Sequence, residues 1–487
     1  KFGRALLVCI FLRGGLATYS PKKLVGYHYG RATCVILDDD SVKCWGRLFN
    51  GMQATGIEAF IGNAANQMGD NLPSADFGVG RTAVDIGVSA YAILDCSCVL
   101  SDIGVTDSKI GDDAFELGDF LPAISLGSGR TAKQIAVGDR YACALLDNNL
   151  VKLGTSRSIF KDYSWFVYSK FAAVAPAETR PQKDFLRFLR EVVVNRIEGD
   201  TRLGYGDETD RSSTEAQMGD ALPFVDLGTG RTAQKIGCGD SHVCALLDDN
   251  TLKCWGGNYN GQCGQDTTND IGKSANQMGD YLPAIDVGAG RTVTDFVAGY
   301  KHTCAILDDG NLKCWGYANY GHLGHGDRHD RGGNDRKMAT IPTVDLGTGL
   351  TVKKVFAGWD MTCAILSDDR TKCWGSAGNG KLGHGDDTPS DEWSVGDESG
   401  EMGDSLPATN YGTGRTAQHI TMGNGFQCAL LDDATVKCMG YGEWLGYGDT
   451  TDRGQDSSLL GDHLPVLDFG TLPTTSMLGT HVLESKN

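Results

Sequence analysis

The chain alternates between short apolar segments and breaks rich in glycine and aspartate along most of its length. The stretch CAILDDGNLKCWG, residues 304–316, shows the pattern: two short apolar segments lie on either side of an Asp-Asp-Gly break. Short apolar runs bounded by Gly or Asp are typical of strands joined by tight turns. The pattern therefore predicts an all-β chain built from hairpins.

Three phrases recur in step along the sequence. The hairpin phrase begins at Cys34, Tyr91 (a degenerate copy), Cys143, Cys244, Cys304, Cys363 and Cys428. The phrase MGDYLPAIDVGAGRTV from Met278 recurs in related forms before or after each hairpin, and LGYGD or LGHGD follows four of them, as at Leu323. Seven four-stranded units predict a propeller or a solenoid. A closed seven-bladed propeller is favoured because radial repetition protects the strand edges.

The loop length of the hairpin phrase predicts its turn. Pairing Cys304 with Cys314 also pairs Leu307 with Asn311, which leaves a three-residue loop that ends at Gly310. The last residue of such a loop adopts the left-handed region, where Gly is favoured. Asn250 fills the equivalent position acceptably, whereas Asp40, Asp369 and Ala434 fit less well and Ala434 should cost the most.

The ten-residue spacing of the cysteines predicts disulfides. Residues directly opposite in a hairpin have Cβ atoms about 4.5–5.5 Å apart, and a disulfide needs about 3.5–4.5 Å. The predicted pairs are Cys34–Cys44, Cys244–Cys254, Cys304–Cys314, Cys363–Cys373 and Cys428–Cys438. Zinc is an alternative, although its sites use closely spaced pairs and only Cys96 and Cys98 are close. Buried free thiols are a third interpretation if the protein is cytosolic.

The segment HTCAILDDGNLKCWGYANYGHLGHGD, from His302 to Asp327, resembles the repeat of the regulator-of-chromosome-condensation (RCC1) family. The matching positions are Gly299, His302, Thr303, Ala305, Asp309, Gly310, Trp315, Gly316, Asn319, Gly321, Leu323 and Gly324. The resemblance implies a seven-bladed β-propeller of RCC1 type, closed by strands from both chain ends. Blades 2 and 3 are degenerate, because copy 2 loses KCWG after Asp95 and copy 3 has Leu153 in place of the second cysteine.

Other motifs were weighed as sites. GTGRTA matches a dinucleotide fingerprint, but the residues that follow alternate as a strand does, so it is interpreted as a turn. Its arginine recurs, and the favoured interpretation is pairing with carboxylates rather than an anion-binding ring. The histidines of HLGHGDRHD (His322, His325 and His329) could bind metal, yet a solvated loop is favoured. The Trp of KCWG, as in Trp315, is predicted to be core.

Two segments fall outside the repeat. Residues 1–22 are interpreted as a leader or signal remnant, with an ordinary buried strand as the alternative, and residues 23–487 as the propeller. Residues 155–200 are aromatic, glycine-poor and locally basic, and part of this stretch has the apolar spacing of an amphipathic helix. This insertion is either a partner-binding element or a translated non-coding stretch.

The formal net charge of −18 argues against a general nucleic-acid binder, and no apolar run reaches the roughly 18 residues of a membrane span. No catalytic constellation, cofactor site or metal site is predicted. The favoured function is a monomeric protein-interaction scaffold that is not an enzyme. The alternatives are a guanine nucleotide exchange factor for a Ran-type small GTPase and a secreted inhibitor or carbohydrate-binding propeller. Paired cysteines favour an extracellular or secretory-lumen location, with cytoplasmic or nuclear locations left open.

Overall fold

The computed structural model describes residues 18–26, 31–48, 59–75, 86–87, 98–99, 126–138, 141–155, 203–207, 217–385 and 393–471. Within these ranges the regular elements are β-strands and short 3-10 turns. None of the helical turns described is long and apolar enough to cross a bilayer.

The described strands form seven antiparallel sheets, numbered here as blades 1 to 7. Blade 1 contains β1 (Pro21–Gly26), β2 (Ala32–Leu37), β3 (Val42–Leu48) and β4 (Ala59–Ile61). Blade 2 contains β5 (Ile86–Gly87) and β6 (Cys98–Val99), and blade 3 contains β7 (Ala132–Val137), β8 (Tyr141–Leu146) and β9 (Val151–Thr155). Blade 4 contains β10 (Ala233–Cys238), β11 (His242–Leu247) and β12 (Leu252–Gly256). Blade 5 contains β13 (Val293–Ala298), β14 (His302–Leu307) and β15 (Leu312–Gly316). Blade 6 contains β16 (Val352–Ala357), β17 (Met361–Leu366), β18 (Thr371–Ser376) and β19 (Ser394–Val395), and blade 7 contains β20 (Ala417–Met422), β21 (Phe426–Leu431) and β22 (Val436–Gly440).

The recurring GD phrase forms a 3-10 turn after most blades, at Gly69–Asn71, Gly219–Ala221, Gly279–Tyr281, Met338–Thr340, Gly403–Ser405 and Gly461–His463. Three further 3-10 turns span Gly378–Gly380, Gly442–Trp444 and Ser457–Leu459. All of these lie outside the strands, in connections or after the last strand, so the architecture is all-β, as predicted.

The predicted hairpin register is confirmed. In blade 5, Cys304 lies opposite Cys314, and the Leu307 amide donates to the Asn311 carbonyl at 2.9 Å. Gly310 closes the turn with a φ of 77°, in the left-handed region. Ala434 adopts the same conformation with a φ of 61°. The turn geometry is therefore kept even where the side chain disfavours it.

The seven blades close into a ring. The first strands of successive blades contact one another from β1 to β20, and β20 of blade 7 returns to β1 of blade 1. Both chain ends contribute to the junction, because Thr18 bridges Thr471 and the Thr471 amide donates to Asp70 Oδ1 at 2.6 Å. The chain thus forms a seven-bladed propeller with the expected two-ended closure.

The core lies between neighbouring blades, and the repeated Trp is part of it. Trp45, Trp255, Trp315 and Trp374 are fully buried. The first Gly of the LGxG phrase lies against the Trp of the next blade at Gly204, Gly324 and Gly446, and against Met439 at Gly383: a Cβ at Gly324 would come within 2.8 Å of Trp374 Nε1. The prediction of a core Trp is confirmed, and it explains why the third phrase needs glycine.

Several predictions concern residues outside the described ranges. Tyr91 and Asp95 of the degenerate second copy, the chain before Thr18, and nearly all of the 155–200 insertion lie there. Blade 3 ends at Thr155, and the described chain resumes at residue 203. Residues 18–22, counted with the leader in the sequence-based division, lie in the ring, because β1 begins at Pro21.

Candidate functional site: the aromatic face

The strands give the propeller two different faces. The first strand of each blade runs from the GTGRT-type turn to a short loop such as Gly299–Lys301, and the second strand returns to the Asp-Asp-Gly turn. Both turns lie at one end of the blade, since the Asp308 amide donates to the Thr292 carbonyl at 3.0 Å. We call this end the turn face. The opposite end carries the short loops and the segments that follow the Trp-Gly pair of the third strand.

Charged side chains on the turn face are paired with one another. Arg291 lies 3.3 Å from Asp308 and 2.6 Å from Asp309. Arg130, Arg231 and Arg415 make the same kind of pair with the Asp residues of their own hairpin turns. The favoured interpretation, pairing within the blade, is confirmed for these four arginines. Arg81 lies outside the described residues.

The Asp of the GD phrase caps a turn of the same blade. Asp280 accepts from the Thr229 amide at 2.8 Å and from the Thr229 hydroxyl at 2.5 Å, and these hydrogen bonds lower the pKa of Asp280. The contact recurs between Asp404 and Thr348. This network uses the turn-face charges to hold the blade together, so it leaves few of them for a ligand.

The Lys of KCWG is a structural residue that sequence reasoning missed. Lys253 is buried, and its Nζ donates to the Leu227 carbonyl at 2.9 Å and to the Gly279 carbonyl at 2.8 Å. Burial lowers the pKa of Lys253. The signal was present in the sequence, since the same Lys precedes Cys in every intact copy. It fastens the third strand of a blade to the GD turn.

The structure brings together every cysteine pair that the sequence singled out. Cys34–Cys44, Cys244–Cys254, Cys304–Cys314, Cys363–Cys373 and Cys428–Cys438 have sulfur–sulfur distances of 2.00–2.13 Å. All ten side chains are buried. Each pair lies across a hairpin, between the second and third strands of its blade, and therefore belongs to the scaffold.

The histidine loop differs from its prediction. His322 is fully buried, and burial lowers its pKa to about 3. His325 Nε2 lies 3.0 Å from the Cys314 carbonyl, and only His329 is exposed as a solvated loop requires. The solvated-loop interpretation is therefore wrong for His322 and His325, because Trp374 of blade 6 lies against His322 and its Nε1 donates to the His322 carbonyl at 3.0 Å, while His325 lies against the third strand of its own blade. No group of three or more metal-type ligands occurs in the described part of the chain.

Aromatic side chains gather at the end of the propeller opposite the turn face. Tyr259 and Trp393 are 83% and 79% exposed. At the same end of the propeller, the Trp359 ring lies 5.8 Å from the Tyr300 ring and 6.4 Å from the Tyr320 ring. We call this surface, formed by blades 4, 5 and 6, the aromatic face.

Local turn geometry explains why these rings point outward. The Gly261 amide donates to the Asn258 carbonyl at 2.9 Å, and Gly261 has a φ of 80°. Tyr259 therefore occupies the tip of a tight turn. The same hydrogen bond joins Gly321 to Ala318 and places Tyr320 in the equivalent turn of blade 5.

Cations accompany the aromatic rings, and a buried ion pair lies next to them. Lys301 Nζ lies 4.9 Å from the centre of the Tyr300 ring. Beside Trp359, Asp360 Oδ1 lies 2.7 Å from Lys381 Nζ, and both side chains are nearly inaccessible to solvent. Burial raises the pKa of Asp360. This ion pair anchors the loop that carries Trp359, because a charge buried without its partner would be strongly destabilising.

Comparisons with known proteins agree with this architecture. Models of the regulator of chromosome condensation (RCC1) repeat match residues 233–262, 293–321 and 309–365. The chain is 33% identical over 186 residues to the ultraviolet-B receptor UVR8 of Arabidopsis thaliana, a match that covers 38% of this chain and 37% of the receptor. It is 31% identical over 166 residues to the X-linked retinitis pigmentosa GTPase regulator homolog of Caenorhabditis elegans, covering 34% of this chain and 11% of that protein.

Solved structures are similar over more of the chain. Human WBSCR16 aligns with a TM-score of 0.49 at 13% identity, over 93% of this chain and 83% of that one. Prp20p from Saccharomyces cerevisiae aligns with a TM-score of 0.48 at 13% identity, over 89% and 75%. The matched segments span less than two-fifths of the curated relatives' own length. The matches show that RCC1 repeats occur within residues 233–365, and the ring of seven sheets around them is consistent with an RCC1-type β-propeller.

Proposed function

We propose that the chain is a non-catalytic scaffold whose protein partner binds the aromatic face. The observation that carries the proposal is the exposure of Tyr259 and Trp393 at the same end of the propeller as the half-buried rings of Tyr300, Tyr320 and Trp359. Tyr and Trp are enriched at the centres of protein interfaces because they bury a large area at little cost in conformational entropy. Exposed apolar groups gathered in one place mark interaction surfaces.

The charges on this face indicate the chemistry of the partner. Lys301 lies over Tyr300, and Arg31 lies 5.2 Å from the centre of the Trp444 ring at the same end of the propeller. The chain as a whole is acidic, with a formal net charge of −18. A protein surface that presents apolar side chains together with carboxylates would complement this arrangement.

The paired cysteines support an oxidising compartment as the place of action. Five buried pairs at bonding distance suit a secreted or lumenal protein, since disulfides persist there and are reduced in the cytosol. Peptide mapping under non-reducing conditions tests the five bonds. Recovery of unbonded hairpin cysteines from protein of the native source would contradict this part of the proposal.

The binding proposal is tested by affinity purification with two matched double variants. Tyr259→Ala/Trp393→Ala removes the two most exposed rings of the aromatic face, and Phe224→Ala/Tyr281→Ala removes two exposed rings from the turn-face side. Proteins captured by the wild type should be lost with the first variant and kept with the second. Equal capture by both would place the binding surface elsewhere.

Two alternative activities are tested with the same variants. Family-model matches to the regulator of chromosome condensation repeat support exchange on a Ran-type GTPase, which acceleration of GDP release would reveal. Aromatic side chains also stack on sugars, so a glycan array tests the carbohydrate-binding alternative.

The 155–200 insertion is tested by its deletion. Unchanged capture and unchanged folding would show that it is not the interaction element.

A further inference from the structure

Blade 3 contains a buried cysteine that has lost its hairpin partner. Cys143 occupies the first-cysteine position of β8, but Leu153 lies opposite it, where the five paired hairpins have their second cysteine. Cys143 is 1% exposed, so neither solvent nor a residue of its own hairpin accounts for the thiol.

A second buried cysteine lies against it from the next blade. Cys238 is the last residue of β10, the first strand of blade 4, and it is 7% exposed. The two Sγ atoms are 2.7 Å apart. That separation is longer than the bond length of about 2.0 Å but shorter than an ordinary contact between unbonded sulfur atoms. For comparison, the sulfur atoms of Cys363 and Met422, which are not bonded to each other, lie 3.6 Å apart.

The comparison with Cys363 and Met422 also shows that the contact is built into the propeller. Cys363 holds the first-cysteine position of blade 6, and Met422 is the last residue of β20, the first strand of blade 7. Blades 4 and 7 therefore each present the last residue of their first strand to the hairpin cysteine of the blade before. In blades 1, 5 and 6 that residue is Gly26, Ala298 and Ala357.

The sequence places a cysteine at this position beside the one hairpin that needs it. Among the described blades, only blade 3 combines a first cysteine with a missing second one, and only blade 4 has a cysteine at the end of its first strand. From this placement and the short contact, we propose that Cys143 and Cys238 form a disulfide between blades 3 and 4.

The bond would fasten two blades at the place where the repeat is interrupted. It encloses 95 residues of sequence separation, against 10 for each hairpin pair. Chain-entropy arguments give a larger effect to the longer loop. The enclosed chain includes the non-repeat residues 156–202. The bond would therefore hold blade 3 against blade 4 independently of the conformation of that segment.

Formation of the bond needs a two-electron oxidant of the disulfide class. The two thiols lose two protons and two electrons as one sulfur–sulfur bond forms, and oxidised glutathione is reduced to two glutathione thiols. Burial raises the pKa of Cys143 and so disfavours its thiolate in the folded chain. We therefore expect the bond to form during folding and to resist reduction afterwards, as shielded bonds do.

The test is peptide mapping of the full chain refolded over a series of oxidised glutathione concentrations. Digestion with trypsin and an Asp-specific protease separates Cys238 from Cys244, which trypsin alone would leave on one peptide. The expected product is residues 141–146 linked to residues 236–239. Recovery of both peptides singly alkylated at the highest oxidant concentration would overturn the proposal.

Two variants complete the test. Cys238→Ala should abolish the linked peptide, leave Cys143 open to alkylation after denaturation, keep the five hairpin bonds and lower the melting temperature. Cys263→Ala is the matched control, because Cys263 is also buried and unbonded but contacts the Gly257 carbonyl rather than a sulfur atom. A Cys143 linkage to any other cysteine in the wild type would equally contradict the assignment.

Discussion

Replacing Ala434 with Gly should stabilise the protein, although the change removes a methyl group. Ala434 ends the hairpin turn of blade 7 with a φ of 61°, where its amide donates to the Leu431 carbonyl at 3.1 Å. The left-handed conformation costs an L-residue such as Ala roughly 1–2 kcal/mol. Glycine avoids that cost, so Ala434→Gly should relieve a strain present in the wild type.

The expected gain is smaller than the strain because Gly also makes the unfolded chain more flexible. That effect offsets about 0.4–1 kcal/mol, which leaves a net stabilisation of roughly 0.5–1 kcal/mol. The reverse change in blade 5, Gly310→Ala, should destabilise by a similar or larger amount. Gly310 has a φ of 77°, and its added Cβ would come within 2.7 Å of Thr351 Cβ.

Urea unfolding followed by tryptophan fluorescence measures both effects. Asn250→Gly is the control, because Asn250 has the same backbone conformation with a φ of 63° and Asn tolerates it better than Ala. Its change should be smaller than that of Ala434→Gly. A loss of stability in Ala434→Gly comparable with that in Gly310→Ala would refute the assignment of a strained left-handed residue at the end of this turn.

Three further predictions follow from buried groups and from ring closure. Burial lowers the pKa of His322 to about 3. Below about pH 6.5, His322 is therefore protonated in the unfolded chain but stays neutral in the folded chain. Stability should fall as the pH is lowered, and His322→Gln should remove roughly 2 kcal/mol of the loss between pH 7 and pH 5 in urea unfolding, whereas the exposed-site variant His329→Gln should not. Lys253→Met should cost about 1–3 kcal/mol in the same assay by leaving two carbonyls unpaired; an unchanged midpoint would count against the fastening role. Asp70→Ala removes the hydrogen bond that holds the C-terminal segment at Thr471 in the ring, so it should speed proteolytic trimming of that segment. Asp404→Ala removes the same kind of hydrogen bond inside one blade and should not.

The sequence predicts the scaffold well because each local pattern occurs in several repeats and supports the same prediction in each of them. The ten-residue spacing in the hairpin places Cys304 opposite Cys314, and the same spacing places two cysteines opposite each other in four other blades. The left-handed position at Gly310 follows from loop length alone, and Ala434 adopts it despite its side chain. The two-ended closure came instead from the family resemblance.

The features that depend on contacts between blades were harder to predict. His322 looked like part of a polar loop, yet the next blade buries it. Cys143 had no visible partner, because Cys238 lies on another blade and approaches it only through the packing of blade 4 against blade 3. Tyr259 and Trp393 share a face because of ring geometry, and no spacing along the chain indicates this. Sequence periodicity describes one blade, whereas these contacts depend on how neighbouring blades pack.

The most direct test of the central claim is hydrogen–deuterium exchange of the full chain with and without a protein recovered by the affinity purification. The account predicts slower exchange in the aromatic-face loops, residues 257–261, 299–301, 317–320 and 359–360. Exchange in the Asp-Asp-Gly turns, such as residues 308–310, should not change. Protection confined to those turns, or to residues outside the propeller repeat, would contradict the assignment of the aromatic face as the binding surface.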